Sequence, residues 1–229
     1  MLENHEVNAS RLKWDLRRRT DHKFDKYWQE RHQQLIPLQI FSQEKPVWLE
    51  VGAGTGWFFI EMAKWHPNHF FVAIERSRHR GKRLVEKSQS CGLPNVLGYR
   101  SNAIPALIHG IPSESLERIY LLYPPPWPRN AQRKNRWFLH PIMPHLVRLL
   151  KKQGLLIWAS DQKFYIDEAR YVSESLYPLK TLVHGEIAPN PFNGLELFPN
   201  GRTKFERTFL AQGQPCYELI SQKSSDTLS

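Results

Sequence analysis

Residues 48–56 read Trp48-Leu49-Glu50-Val51-Gly52-Ala53-Gly54-Thr55-Gly56. A short apolar strand runs into glycines at alternate positions. Trp57-Phe58-Phe59-Ile60-Glu61-Met62-Ala63 then follows with the spacing of a helix packed on a sheet. The stretch predicts strand, tight turn and helix, the opening of an α/β domain. Glycine suits such a turn because a residue without Cβ takes positive φ and lets the backbone come within contact distance of a ligand. Spacing then narrows the ligand. A dinucleotide fingerprint asks for G-x-G-x-x-G, and its last position here is Trp57, which weakens a pyrophosphate reading. The plain alternative is an ordinary glycine-rich turn.

The chain has 229 residues, room for one α/β domain with a sizeable core and an extension. Lysine and arginine outnumber aspartate and glutamate by 32 to 22. The resulting charge of +10, with a pI near 9.7, suits a polyanion, with nucleic acid the first candidate and solubility alone the alternative. The start, Met1-Leu2-Glu3-Asn4-His5-Glu6, lacks an apolar leader core, and no later run is apolar enough to span a bilayer. A cytosolic protein without membrane contact is expected. Cys91 and Cys216 have no paired spacing, so neither a disulfide framework nor a zinc site is expected, and no metal.

Residues 10–35 mix cations with aromatics, and Phe24, Tyr27, Trp28 and Leu35 fall on one helical face. A helix over about 21–35, halted by Pro37, is expected behind a basic arm whose arginines can meet phosphates or stay solvated. Phe70-Phe71-Val72-Ala73-Ile74 is the second strand and completes a βαβ unit. Glu75 stands at its carboxyl end, where a carboxylate can accept both hydroxyls of an adenosine ribose; a solvent-facing acid is the alternative. The cations from Arg76 to Lys87 read as a solvated helix face that adds to a positive field. Residues 95–99 make a third strand. Beyond it Asn102 can pair its amide with an adenine edge or cap a helix.

Leu116 to Tyr123 reads as a central strand opening into Pro124-Pro125-Pro126-Trp127-Pro128-Arg129-Asn130-Ala131-Gln132-Arg133-Lys134-Asn135-Arg136. Prolines stiffen this loop, Trp127 offers a stacking face, and cations follow. Ligands of open α/β sheets bind beyond the strands' carboxyl ends, which sets the loop beside the glycine turn. A helix over about 140–152, stopped at Gly154, precedes a fifth strand at 155–159, with Asp161 just past its end. A helix over 163–176, a strand at 180–183 and turn residues at 190–194 follow. Thr203-Lys204-Phe205-Glu206 reads as a capping box opening a short helix that Gly213 stops, and a last strand lies at about 216–220.

Together these motifs resemble the bacterial tRNA (guanine-N7-)-methyltransferase family, from Val47 to Leu219. Glu50 with Gly52, Gly54 and Gly56 looks like the first motif of class I S-adenosylmethionine methyltransferases. Ala73-Ile74-Glu75, Tyr123 through Arg129, and Thr203-Lys204-Phe205-Glu206 with Gly213-Gln214-Pro215 match the family more specifically. The resemblance implies an α/β, Rossmann-like class I methyltransferase fold. Its mostly parallel sheet has about seven strands with helices on both faces, and a basic N-terminal extension precedes it. In that reading residues 1–40 are the basic arm and helix, 41–222 the methyltransferase domain and 223–229 a disordered tail. It further implies methyl transfer from S-adenosylmethionine to N7 of a guanine in the variable loop of tRNA, by a monomer or homodimer. Glu50, Gly52, Gly54, Gly56, Glu75, Asn102 and Pro125 match positions that hold the cofactor. Arg129, Asp161, Thr203, Lys204, Phe205 and Glu206 match positions that engage the guanosine.

The loop departs from the family's Pro-Asp-Pro-Trp-Pro-Lys, because Pro125 stands where an aspartate treated as catalytic belongs and Arg129 replaces the lysine. Asn102 likewise replaces an aspartate. Guanine N7 carries an in-plane lone pair and loses no proton before attack, so alignment matters more than a general base. Approximation supplies about 7 to 11 kcal/mol, against about 3 to 4 kcal/mol for one well-placed electrostatic group. Transfer is therefore compatible with Pro125, and Asp161 is the expected catalytic acid, supplying negative charge near the guanine. The alternatives are a catalytically impaired or retargeted RNA-binding relative and, since Glu75 also suits a nicotinamide ribose, an oxidoreductase.

Overall fold

The structure is a computed structural model that describes residues 26–28, 36–42 and 44–225. The basic arm, most of the helix expected over 21–35 and the last four residues of the tail lie outside the described residues. One seven-stranded sheet organises the rest, in the order β3-β2-β1-β4-β5-β7-β6. Its strands are β1 (Val47–Val51), β2 (Phe70–Glu75), β3 (Val96–Arg100), β4 (Leu116–Leu122), β5 (Leu150–Ser160), β6 (Leu179–Glu186) and β7 (Tyr217–Lys223). β1 pairs in parallel with β2 and β4, as do β2 with β3 and β4 with β5. β7 is antiparallel to both neighbours, β5 and β6. The helices are α1 (Trp57–Trp65), α2 (Arg78–Ser90), the single turn α3 (Ala103–Pro105), α4 (Met143–Leu149), α5 (Lys163–Leu176) and α6 (Lys204–Ala211).

Alternation along the strands sends side chains into two layers. Val47, Leu49 and Val51 pack with Leu146 of α4 and with Tyr165 and Ala169 of α5. Trp48 packs on the other face with Phe58 and Phe59 of α1 and Leu84 of α2. The same period turns Glu50 and Glu75 toward the α1 and α2 side, at the carboxyl ends of adjacent strands. Both layers are closed to water, and burying each such large apolar side chain stabilises the fold by about 1.5 to 3 kcal/mol.

One stretch differs from the sequence reading. The helix expected over about 140–152 ends at Leu149, and β5 already begins at Leu150, paired with Leu116. Register then slips before Arg118, and Gln153 takes a φ of 62°. Gly154 is there for close approach: a Cβ would stand 2.9 Å from the Lys151 carbonyl and 3.1 Å from that of Glu117. Gly154 therefore marks a bulge in a strand and does not stop a helix.

Candidate active site

The expected site residues lie at the carboxyl ends of β1 and β2, in the segments that follow the strands, or in α6 and its N-cap. The glycine turn is built first. Gly52, Gly54 and Gly56 take φ of 84°, 59° and 79°, a left-handed conformation that costs an L side chain about 1 to 2 kcal/mol. The N–H groups of Gly52 and Ala53 both donate to the Ile74 carbonyl, at 2.8 and 3.2 Å, so the turn is tied to the end of β2. A Cβ on Gly52 or Gly54 would meet open space, whereas one on Gly56 would stand 2.5 Å from Leu84 Cδ1. Gly56 thus serves packing against α2, and the first two glycines leave an open cradle.

Two carboxylates flank this cradle. Glu75 Oε2 accepts from the Gly54 N–H at 3.0 Å, while Oε1 accepts from Ser77 N–H at 2.7 Å and from Arg80 Nη2 at 3.4 Å. Glu50 is buried in β1, and its Oε2 is shut from solvent with no hydrogen-bond partner among the described residues. Burial first and the Glu75 charge second push the Glu50 carboxyl up to about 8, against the opposing pull of Arg202. A buried carboxylate oxygen without a partner beside an open glycine cradle fits a ligand bearing an ammonium group, which would satisfy the oxygen and draw the proton off.

Arg202 comes from the other end of the chain. It is fully buried, and Glu206 grips it: Oε2 accepts from the Arg202 N–H at 2.8 Å and Oε1 from Nη2 at 2.9 Å. Nη1 donates to Glu218 Oε2 at 2.5 Å, and Glu218 Oε1 accepts from the amides of Asn190 and Asn193 at 3.0 and 2.9 Å. Burial alone would lower the Arg202 pKa, but Glu206 and Glu218 outweigh it and hold the guanidinium firmly charged. The expected capping box is half present. Thr203 Oγ1 accepts from the Glu206 N–H at 3.0 Å, yet the Glu206 carboxylate turns to Arg202. Every hydrogen bond of that carboxylate is thus internal, which makes Glu206 the anchor of the segment in this structure.

α6 then reaches both halves of the cleft. The Phe205 ring sits 4.9 Å from Tyr123 at the start of the proline loop and stacks 4.4 Å from Phe209. Arg207 lies 4.0 Å over the Trp57 ring at the start of α1. Phe205 stays 43% exposed, so part of its ring remains open to solvent beside these two contacts. Tyr123, at a φ of 56°, lies against the Cys216 thiol, and burial with the Glu206 charge raises its pKa far above the ordinary range. Asp161 follows β5 in the same neighbourhood. Its Oδ2 accepts from Gln162 Nε2 at 2.5 Å, and its charge is felt at Cys216, whose thiol is pushed up mainly by burial.

The other expected residues lie nearer the surface. Pro125, Arg129 and Lys204 are exposed. Asn102 caps α3, its Oδ1 accepting from the Ile104 N–H at 3.2 Å. An unexpected clamp holds the loop. Buried Arg136 donates from Nη2 to the Trp127 carbonyl at 2.9 Å and the Pro128 carbonyl at 3.3 Å, and from Nη1 to Glu168 of α5. Trp127 has a φ of 46°. Sequence reading counted Arg136 only among the loop's cations, without its burial, and missed Glu168, Arg202 and Glu218. The available signal was an acid set among apolar neighbours, Glu168 on the Tyr165 and Ala169 face of a helix and Glu218 before Leu219-Ile220 in a strand.

Among the described residues no group of three or more His, Cys, Asp or Glu side chains could hold a metal ion, and no helix is long and apolar enough to cross a membrane. Comparison with known proteins gives concordant matches. The family described as "Putative methyltransferase" matches residues 44–219. A bifunctional methyltransferase of Rickettsia conorii is 36% identical over 58% of this chain and 26% of its own length, so the chain spans about a quarter of that relative. A tRNA (guanine-N(7)-)-methyltransferase of Saccharophagus degradans is 28% identical over 88% of each protein. Among solved structures, the 16S rRNA methyltransferase KamB superposes with a TM-score of 0.58 at 17% identity, over 81% of this chain and 91% of that one, a likeness of fold.

Proposed function

The chain belongs to the methyltransferase family matched over residues 44–219, and from that premise we propose that it methylates N7 of a guanine in the variable loop of tRNA, using S-adenosylmethionine. Family membership decides against the oxidoreductase alternative. One observation carries the cofactor assignment: the buried, unpartnered Glu50 Oε2 beside the open cradle of Gly52 and Gly54. Glu50 would hold the amino-acid ammonium, Glu75 the ribose hydroxyls and Asn102 the adenine edge, with Pro125 walling the mouth. When bound, S-adenosylmethionine would supply an electrophilic sulfonium methyl, whose transfer to the guanine N7 lone pair would break the C–S bond, return that bond's electron pair to sulfur and leave the positive charge on the guanine ring.

The chain's own residues supply placement and charge. Phe205, braced by Tyr123 and Phe209 and 43% exposed, offers aromatic surface against which a guanine can pack. Arg129 and Lys204 stand exposed, where phosphates can reach them. Thr203 begins the helix that carries Phe205, and Glu206 fixes its angle through Arg202. Asp161 places negative charge beside a ring that becomes positive. The group-specific loss for one such residue is on the order of 10²-fold in turnover.

Methyl incorporation into unmodified tRNA, followed by mapping of the modified base, tests the proposal. Methylation at N7 of a variable-loop guanine is expected, and methylation elsewhere or of no RNA ends it. Asp161→Asn should reduce turnover by about 10²-fold while leaving affinity for S-adenosylhomocysteine unchanged; equal activity removes that role. Pro125 also favours a second reading, a relative that binds cofactor and RNA but transfers poorly. That reading predicts tight binding of both ligands, negligible incorporation, and a gain of activity in Pro125→Asp.

A further inference from the structure

A depression of about 320 Å³ opens at the β3 edge of the sheet, lined by Arg78, Lys82, Val85 and Glu86 of α2 and by Arg100 at the end of β3. In the sequence the α2 cations are one face of a basic helix. Tertiary structure adds Arg100 to them. Glu75 and Arg100 are partners in the parallel register, and α2 is pressed onto that junction at Gly81, where a Cβ would stand 2.5 Å from Arg100 Cγ and 2.9 Å from the Glu75 carbonyl. Cations from two separate elements therefore converge on one hollow. α2 also carries Arg80, which turns away from the hollow and reaches back to Glu75 Oε1 at 3.4 Å, so one helix serves both the hollow and the carboxylate that holds the Gly54 N–H.

Charge in the hollow is poorly compensated. Its one acid, Glu86, lies 3.6 Å from Lys82, with both side chains more than half exposed, so the pair is weak. Arg78 and Arg100 make no ion pair with another of the described residues. Arg78 is also the first residue of α2, where the positive end of the helix dipole adds to the field. Exposed guanidiniums in an open hollow do not form the enclosed cage of a small-anion site. They suit phosphates carried past on a chain, bound by fork-like donors at little desolvation cost.

We propose that this hollow is a phosphate track for the sugar-phosphate backbone of the RNA substrate, on the opposite side of the cleft from Arg129. The inference rests on the RNA reading given above. An RNA with a base in the cleft must leave it along the strands' carboxyl ends, and the hollow lies at the β3 end of that row. Contacts of this kind fix position and carry no sequence information.

The test compares the full chain with an Arg78→Gln, Lys82→Gln, Arg100→Gln triple variant; glutamine keeps the methylenes that pack at Gly81 and Val85, and Arg80 is left intact for Glu75. Binding of unmodified tRNA is measured across a potassium chloride series. The slope of log K against log salt should become shallower by about 1 for each cation removed, with the melting temperature and affinity for S-adenosylhomocysteine unchanged. Parallel slopes, with the parent still methylating tRNA, would overturn the track and leave the methyltransferase reading intact. Failure of the parent to bind tRNA at all would overturn both. Retention of the parent but not the variant on phosphatidylserine vesicles, with parallel tRNA slopes, would assign the charge to a lipid surface and likewise overturn the track.

Discussion

Glu168 on α5 and Arg136 at the end of the proline loop form a buried ion pair, and the same guanidinium holds the loop's backbone through the Trp127 carbonyl at 2.9 Å. Arg133 joins it, its Nε 2.6 Å from Glu168 Oε1. A helix on one face of the sheet thereby sets the shape of a loop at its end.

Removing one partner of this pair should weaken the fold and misplace the loop without touching the glycine cradle. Breaking a buried pair costs about 3 to 5 kcal/mol. Glu168→Gln keeps one hydrogen bond to Arg136 and should lose less than Glu168→Ala. Both variants should show reduced methyl incorporation at full occupancy with unaltered affinity for S-adenosylhomocysteine. Loss of affinity in place of turnover would show that the clamp serves the cofactor.

Glu50 gives a pH signature of known sign. Its carboxyl ionises near 8 in the fold, against 4.5 for an ordinary glutamate. The folded chain therefore keeps a proton that the unfolded chain has released, so this contribution to stability is complete below about 4.5 and is lost as pH rises through about 8. Glu50→Gln cannot ionise and should flatten the fall in melting temperature across that window.

Ligand binding should run the opposite way. An ammonium group needs the ionised form of Glu50, so affinity for S-adenosylhomocysteine should rise by about tenfold per pH unit between 6 and 8 and level off above. Proton release should accompany binding, read by calorimetry in buffers of different ionisation enthalpy. A flat profile would separate Glu50 from the ammonium.

The glycines should divide into two kinds. Gly56→Ala drives a methyl into Leu84, at 2.5 Å, in a filled core, and should cost about 1 to 3 kcal/mol of stability on top of the left-handed strain of about 1 to 2 kcal/mol, read by denaturant melting. Gly54→Ala meets no neighbour. It should cost only the left-handed strain, about 1 to 2 kcal/mol, and lose cofactor affinity out of proportion to it.

Arg202→Met should be the most damaging change in the α6 region. It leaves the buried Glu206 and Glu218 carboxylates without the cation they share. A loss of about 3 to 5 kcal/mol is expected, with Phe205 freed from Tyr123. Adding Glu206→Gln should recover part of that loss, because one of the two stranded charges is removed. Circular-dichroism melts of both variants check it.

Local patterns settled much of the fold. The alternation in residues 47–51 and 70–75, and the glycines at 52, 54 and 56, require no knowledge of the rest of the chain. A strand's burial period and a left-handed turn are properties of a few consecutive residues. Those signals placed Glu50 and Glu75 at adjacent strand ends, and the Thr203 spacing placed the start of α6. The pattern failed at 150–154, where Gly154 resembles a helix stop but a neighbouring backbone presses on it.

What remained was decided by packing between distant segments. Arg136 meets Glu168 across 32 residues, Arg202 meets Glu218 across 16, and Phe205 meets Tyr123 from the far end of the chain. The sequence by itself determined where the glycine turn and the carboxyl ends of β1 and β2 would form, because each depends on neighbouring residues. Only the tertiary structure decided which charges are buried and what compensates them, because desolvation and ion pairing depend on everything that surrounds a side chain.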